Sequence, residues 1–318
     1  MKVSVIIPVK NEEVHIKGLL DSLSTQSRKA DEIVIVDGGS ADRTVEIIED
    51  YKKKGLPIKL IKVLQALPGR GRNIAIEAAQ YDIIAMTDAG IVLDGMWLEK
   101  LITPFEKDPS IEVVYGVYGC YTETLFEKCF CIVYMSAGKQ MGSSKVNFPF
   151  LASSAIKKDI WKIIGGFKED LRATEDLIFL KKIEEMKSKT ALALDAVAYW
   201  RPRSSLTETV SLSFKYGICE AISLFHIPRY VKKYLMYLAG IFLIYLGITN
   251  HIWLLLLLTM FLLNTFLVCS KHKDEFFKII FKNPTAIFII SAIILAIDVG
   301  SLSGFSIGIF KRHLLRII

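Results

Sequence analysis

The chain has 318 residues, 52% of them hydrophobic and 23% charged, with 40 Lys and Arg against 33 Asp and Glu and a formal net charge of +7. The length suits one large domain or two ordinary ones. No run of basic residues interleaved with aromatics marks a nucleic-acid groove, so the positive balance points to a membrane surface or to anionic ligands. The apolar share is uneven: residues 1 to 230 read as a soluble sequence, and long apolar runs begin at Tyr234.

Strand signals come first. VSVIIPV (3–9), IVIVD (33–37), IKLIKVL (58–64) and DIIAMTD (82–88) are short, rich in β-branched residues and nearly continuous in apolar character. Strands buried on both faces read this way. Helical patterns lie between them. Ile16, Leu19, Leu20 and Leu23 share one face, Val45 and Ile48 mark a second helix, and Ile74 and Ala78 a third, opened by the glycines of PGRGRN. This alternation predicts βαβ units and a mostly parallel, twisted sheet. A helix follows Trp97, residues 112 to 155 mix strand, helix and loop, and WKIIGGF (161–167) ends a helix on glycine. EDLIFLKKIEEM (175–186) reads as an amphipathic helix and TALALDAVAYW (190–200) as a strand.

The tail reads as a membrane anchor. Residues 234–248 and 252–268 are apolar segments parted by TNH, 271–283 is a polar, basic loop, and 284–310 is a third span or a kinked one. A span needs about 20 apolar residues. Two crossings return 271–283 to the starting side, as the positive-inside rule prefers. A third places Lys311, Arg312, His313 and Arg316 on the opposite side, against that rule. Gly300, Gly304 and Gly308 recur at a spacing that permits close helix packing, and Asp298 interrupts the last apolar run. Arg229, Lys232 and Lys233 form a basic cluster suited to anionic headgroups. The five cysteines, Cys120, Cys129, Cys131, Cys219 and Cys269, contain no CxxC pair, which argues against a zinc site and for reduced thiols in a cytosolic domain. MKVSVIIPVKNEE lacks the pattern of a signal peptide.

A parallel sheet binds ligands at the carboxyl ends of its strands. The residues that follow them here are Asn11 and Glu12, then Asp37, then Asp88. Carboxylates in such a place accept from a nucleobase or ribose, or hold a divalent ion that neutralises a diphosphate. Arg70, Arg72 and Asn73 stand at a helix start that favours phosphate. Together they suggest a nucleotide-diphosphate site. Taken singly, Asp37, Glu175 and Asp176 also fit helix caps and Asp88 a strand-end turn.

The ordered stretches SVIIPVKNEE, IVIVDGGSADRT, GRGRNIAIEAA, MTDAGIVLDGMWLEKL, FPFLASSAIKKDIWKIIGGF and ATEDLIFLKKI resemble a membrane-anchored, inverting family 2 glycosyltransferase of the GT-A fold, over roughly residues 3 to 217. The resemblance implies an α/β fold: a Rossmann-like, mostly parallel GT-A catalytic domain over 1–200, a juxtamembrane amphipathic segment over 201–233, and a transmembrane anchor of two to three spans over 234–318. It implies that Pro8, Val9, Asn11, Glu12, Asp37, Arg72, Asp88, Ala89 and Gly90 bind a UDP- or GDP-type nucleotide-sugar donor. Asp88 would hold Mg²⁺ or Mn²⁺. Asp176, with Glu175 beside it, matches the general base, and Arg201 and Arg203 would meet the acceptor, a polyprenyl phosphate or lipid-linked glycan. The implied location is the cell membrane, multi-pass, with a cytoplasmic catalytic domain.

One departure stands out. The family's D-x-D reads D-A-G here, with Gly90 in the second acidic position. That weakens the grip on a metal, although one carboxylate with phosphate and water ligands still suits magnesium. The processive signature Q-x-x-R-W is absent, which favours single-sugar transfer. The alternative is a degenerate domain that binds a nucleotide sugar as a scaffold without turning it over.

Overall fold

The computed structural model describes residues 1–135 and 151–315; the start of the acceptor-side stretch at 148–150 and Arg316 lie outside them. The chain divides into two compact units: residues 1–121 with 139–201, and 122–138 with 202–318.

The first unit begins with β1 (Val3–Val9), α1 (Ile16–Ser24), β2 (Glu32–Asp37), α2 (Thr44–Lys53) and β3 (Ile58–Lys62). It continues through α3 (Pro68–Ala78), β4 (Ile83–Met86), β5 (Ile91–Leu93), α4 (Trp97–Lys107) and β6 (Val113–Cys120). Helix α5 (Leu125–Met135) belongs to the second unit, and β7 (Ser154–Lys157), α6 (Lys158–Ile164), α7 (Glu175–Glu185) and β8 (Thr190–Trp200) complete the first. The strands form one sheet in the order β3-β2-β1-β4-β7-β6-β8-β5. Pairings of β1 with β2 and β4, of β2 with β3, and of β6 with β8 are parallel; β7 runs antiparallel to β4 and β6, and β5 to β8.

The even apolar character of the first strands now has its cause. Val3, Val5, Ile7 and Val9 enter a core that includes Ile16, Leu19 and Leu20 of α1 and Trp97, Leu98 and Leu101 of α4. Ile6 faces the other way, into a core with Ala75 and Ile76 of α3, Ile160 of α6 and Phe179 of α7. A sheet covered on both faces has no solvent side and so no polar alternation. The chain steps from β1 to β2 to β3 on one side, then α3 carries it back to β4 on the other side of β1. That reversal is the switch point at which such sheets open a crevice.

Two strands end earlier than their sequence suggests. Strand β3 stops at Lys62, and Leu64 is 85% exposed. Strand β4 stops at Met86, leaving Thr87 and Asp88 in the turn that leads to β5.

The second unit continues with α8 (Leu206–Ser223), α9 (Ile227–Thr249), α10 (Ile252–Cys269), α11 (Lys273–Lys282) and α12 (Ala286–Leu315). Ser205 caps α8 by accepting from Glu208 N, and the Glu208 carboxylate returns to Ser204 N, a reciprocal capping arrangement. Helices α9, α10 and α12 are long and apolar enough to cross a membrane. The last is one uninterrupted helix of 30 residues, about 45 Å long. Residues 271–283 are not a loop: apart from its ends the segment forms α11, with Phe276 buried and Phe281 83% exposed. Its apolar residues recur at helical spacing, a signal masked by the four lysines around them.

The glycines of α12 pack inside the chain. A Cβ on Gly300 would meet the Val210 carbonyl at 2.5 Å, one on Gly304 would strike Phe214, and one on Gly308 would lie 2.6 Å from the Ala221 methyl. The pairs advance together, so α12 runs parallel to α8. Against α9 it runs antiparallel: Tyr230 stacks on Phe305 at 3.8 Å, while Lys233 and Tyr237 reach Asp298. The basic end of α12, where Arg312 donates to the Ile222 carbonyl, therefore lies beside the start of α9. Two of the three juxtamembrane cations are committed internally, Arg229 to buried Glu220 and Lys233 to Asp298. Among the described residues Cys129 and Cys269 are free, whereas Cys120 is disulfide-bonded, against the expectation of reduced thiols throughout.

Candidate active site

The crevice at the switch point is built on a buried arginine. Helix α3 opens with Pro68 at its first position, where the missing N–H costs nothing. Gly71 lets the helix approach β1, since a Cβ there would sit 3.1 Å from Pro8 Cβ. Arg72, one residue on, is 5% exposed. Its Nη1 donates to Glu175 Oε1 at 2.5 Å and its Nη2 to Asp88 Oδ1 at 2.8 Å. Residues from α3, from the turn after β4 and from the start of α7 thus meet at one guanidinium.

The charges do not balance. Three carboxylates, Asp88, Glu175 and Asp176, act on a single cation. Burial alone would lower the Arg72 pKa, but these acids outweigh it and hold the guanidinium charged well above its ordinary range. Half-buried Asp176 is pushed up to about 6, by burial first and by the neighbouring Glu175 second, with Arg72 opposing. Glu175 Oε2 and Thr87 Oγ1 are buried without a hydrogen-bond partner. Buried groups of this kind cost about 1–3 kcal/mol each, so their presence beside an acid excess marks a place built to receive something polar. Thr174 adds strain: a β-branched residue at φ 70 immediately before Glu175.

The remaining positions singled out in the sequence fall as follows. Asp37 ends β2, flanking β1 on the side opposite β4, so both acids follow carboxyl ends at one edge of the sheet. Its carboxylate accepts from Gly39 N and Ser40 N at 3.2 Å and from Ser40 Oγ at 2.5 Å. Asn11, at φ 54, accepts from Ala41 N at 2.8 Å, and Glu12 pairs with His15 at 3.0 Å. Val9 is buried and Pro8 half-buried under α3, and Ala89 is buried in the core. A Cβ on Gly90 would meet nothing within 4 Å. Arg201 lies over the Tyr121 ring at 5.1 Å. Arg203 belongs to the second unit, with Nε buried and unpartnered.

Two features escaped the sequence reading. Asn73, read there as a phosphate contact, spends its amide on Trp161, Phe167 and Glu169. Phe167 lies beneath Arg72, 5.7 Å from the guanidinium carbon. The only sequence signal for either was the glycine pair that ends α6. The cleft of about 550 Å³ between α4 and β8, lined by Lys100, Lys107 and Asp195, lies elsewhere and gathers no comparable set of reactive groups.

No three His, Cys, Asp or Glu side chains converge as a metal cage among the described residues. The chemistry nonetheless suits a divalent ion that arrives with a diphosphate. The cleft carries excess negative charge, which repels a bare diphosphate, and Asp88, with a 41% exposed side chain, offers one carboxylate. Magnesium readily takes one or two protein ligands, phosphate oxygens and several waters.

A family model described as glycosyl transferase family 2 matches residues 4–163. The poly(ribitol-phosphate) beta-N-acetylglucosaminyltransferase TarS of Staphylococcus aureus is 25% identical over 207 residues, covering 63% of this chain and 35% of its own. The chain therefore spans about a third of the length of that relative. The O-antigen chain rhamnosyltransferase RfbN of Salmonella typhimurium is 25% identical over 235 residues, covering 70% of this chain and 74% of its own. Among solved structures, the mannosyltransferase PcManGT from Pyrobaculum calidifontis, in complex with GDP-Man and Mn²⁺, aligns over 95% of this chain and 87% of its own with a TM-score of 0.56 and 19% identity. That likeness is one of fold.

Proposed function

The chain belongs to glycosyl transferase family 2, and from that premise we propose that it moves one sugar from a nucleotide-diphosphate donor, UDP- or GDP-linked, to an acceptor held at a membrane. The observation that carries the reading is the convergence of Asp88, Glu175 and Asp176 on buried Arg72 at the switch point of the sheet. The named activities of the relatives and the GDP-Man bound by the fold neighbour support the donor class.

Asp176 is the general base. It takes the proton of an acceptor hydroxyl as that oxygen attacks the anomeric carbon. The bond from that carbon to the diphosphate breaks, and the nucleoside diphosphate leaves on the opposite face, which inverts the configuration. With a phosphate acceptor no proton need move, and Asp176 orients the attacking oxygen. Arg72, kept charged by its acids, faces the charge that develops on the leaving diphosphate. Asp88 would hold Mg²⁺ or Mn²⁺, which would supply Lewis-acid stabilisation of that diphosphate. Asp37, Asn11 and Glu12 line the base and ribose end, and Ala89 and Gly90 present backbone to the diphosphate.

The acceptor we infer is a polyprenyl phosphate or lipid-linked glycan, with Arg201 and Arg203 as its contacts. The three apolar helices support a multi-pass anchor. A cytoplasmic catalytic domain is the orientation we infer, because two crossings by α9 and α10 return the basic 271–283 segment to its side, as the positive-inside rule prefers. The test is mass spectrometry of lipid products from membranes given a panel of nucleotide sugars, with Asp176→Asn and Asp88→Ala beside wild type. A single-sugar adduct lost in both variants supports the proposal. Unchanged transfer by both ends it, and nucleotide binding without turnover favours the scaffold alternative.

A further inference from the structure

Asn73 follows Arg72 at the start of α3, and its amide is fully engaged. Oδ1 accepts from Phe167 N at 2.8 Å and from Trp161 Nε1 at 2.9 Å. Nδ2 donates to the Phe167 carbonyl at 3.0 Å and to Glu169 Oε1 at 2.8 Å. A primary amide has two donors and two acceptor lone pairs, so all are used. One side chain thereby holds both backbone polar groups of Phe167. The turn has no slack, because Gly165 and Gly166 sit at φ 79 and 75, and a Cβ on Gly166 would come within 2.8 Å of Asn73 Oδ1.

The Phe167 ring, 3% exposed, touches two elements of the site. It stacks on Phe179 with centroids 4.0 Å apart and planes 15° from parallel, and it contacts the Arg72 guanidinium. Phe179 lies on α7 three residues after Asp176, on the adjoining turn. A short chain of contacts thus runs from α3 through the turn to the helix that carries Asp176. Arg72 has independent anchors in Asp88 and Glu175. Asp176 has none of that kind: its Oδ1 accepts from Leu177 N at 2.8 Å within its own helix.

We propose that Asn73 and Phe167 are positioning residues for this reaction: the amide pins the turn to α3, and the ring sets how α7 presents Asp176 to the donor held beside Arg72. The inference rests on the reading of Asp176 as the base. It acts on turnover and spares donor binding, because the donor-side groups keep their own ion pairs. A misplacement of about 1 Å can cost roughly 100-fold in rate.

The test uses the full-length protein in detergent or nanodiscs. The substrate is the UDP- or GDP-hexose that yields a lipid product, and UDP or GDP with Mg²⁺ serves as the binding probe. Asn73→Asp keeps the acceptor oxygen but loses the donor to the Phe167 carbonyl. Phe167→Leu keeps the apolar fill but loses both ring contacts. Glu169→Gln retains an acceptor for Asn73 and serves as the control. We expect kcat to fall about 10- to 100-fold in the first two, with donor KM and nucleotide Kd within about threefold of wild type and the control unchanged. Thermal melts establish the folded fraction at the assay temperature. Unchanged kcat, a parallel change in KM, or a loss matching the unfolded fraction overturns the inference. Asp176→Asn in the same assay separates the two readings. If it keeps wild-type turnover, the base assignment fails and the positioning role with it. If it is inactive while both variants turn over normally, the positioning role alone is refuted.

Discussion

The two units each bury acids, and they treat them differently. In the second unit Glu220, 4% exposed, accepts from His226, Arg229 and Tyr230, and Asp298, 5% exposed, meets Lys233 and Tyr237. Those acids are matched by cations and hydroxyls on the facing helices, as buried charge in an apolar surrounding requires. In the first unit one arginine faces three carboxylates, and one of these acids, Glu175, keeps a buried oxygen without a partner. Satisfied acids hold helices together, whereas an unbalanced set stores electrostatic cost that a ligand relieves. The contrast separates structure from chemistry without reference to any relative.

The sharpest way to break this comparison is to remove one acid from each unit. Asp176→Asn is expected to lower kcat by about 100- to 10,000-fold with the melting temperature nearly unchanged, since a general base contributes on that scale. Glu220→Gln is expected to act through stability, leaving kcat per folded molecule at the wild-type value. Circular dichroism melts beside turnover assays decide it, and the comparison collapses if the two variants behave alike.

Arg72→Met is the next largest. It strands Glu175 in a buried setting, and breaking such a pair costs about 3–5 kcal/mol. Urea midpoints measure this, and a change below 1 kcal/mol, on the order of an exposed pair, would contradict the burial argument.

The pH profile offers a finer test. As the proposed base, Asp176 acts only when ionised, so kcat/KM with a hydroxyl acceptor is expected to rise with pH through an acid limb near 6. Glu175→Gln removes a negative neighbour that raises this value, and the limb moves to lower pH. A limb at the ordinary carboxylate range in wild type would remove the electrostatic premise.

Gly90→Asp is the smallest expected change in structure and asks about the metal. The space there is open, so a side chain fits without strain. A second carboxylate should tighten Mn²⁺ binding in the presence of UDP or GDP, measured by calorimetry. Equal affinity in both proteins would indicate that position 90 does not face the ion.

Much of this arrangement was legible in the order of residues. Alternating apolar strands and amphipathic helices specify a doubly covered sheet, because only burial on both faces lets a strand such as VSVIIPV be apolar throughout. The acids after those strands announced a polar edge, and the glycines of α12 announced a close helix contact. None of these needs knowledge of what lies far away in the chain.

The tertiary structure alone decided which groups meet. Arg72 and Glu175 are 103 residues apart, and nothing local pairs them. Asn73 has the composition of a phosphate contact and the geometry of a clamp, a distinction settled by Phe167 arriving from 94 residues away. The direction of α12 was likewise open, since hydropathy has no sign along a helix axis; its contacts with α8 and α9 set it. Local patterns report how much surface a residue must bury, while the partner that pays for a buried charge is chosen by the fold.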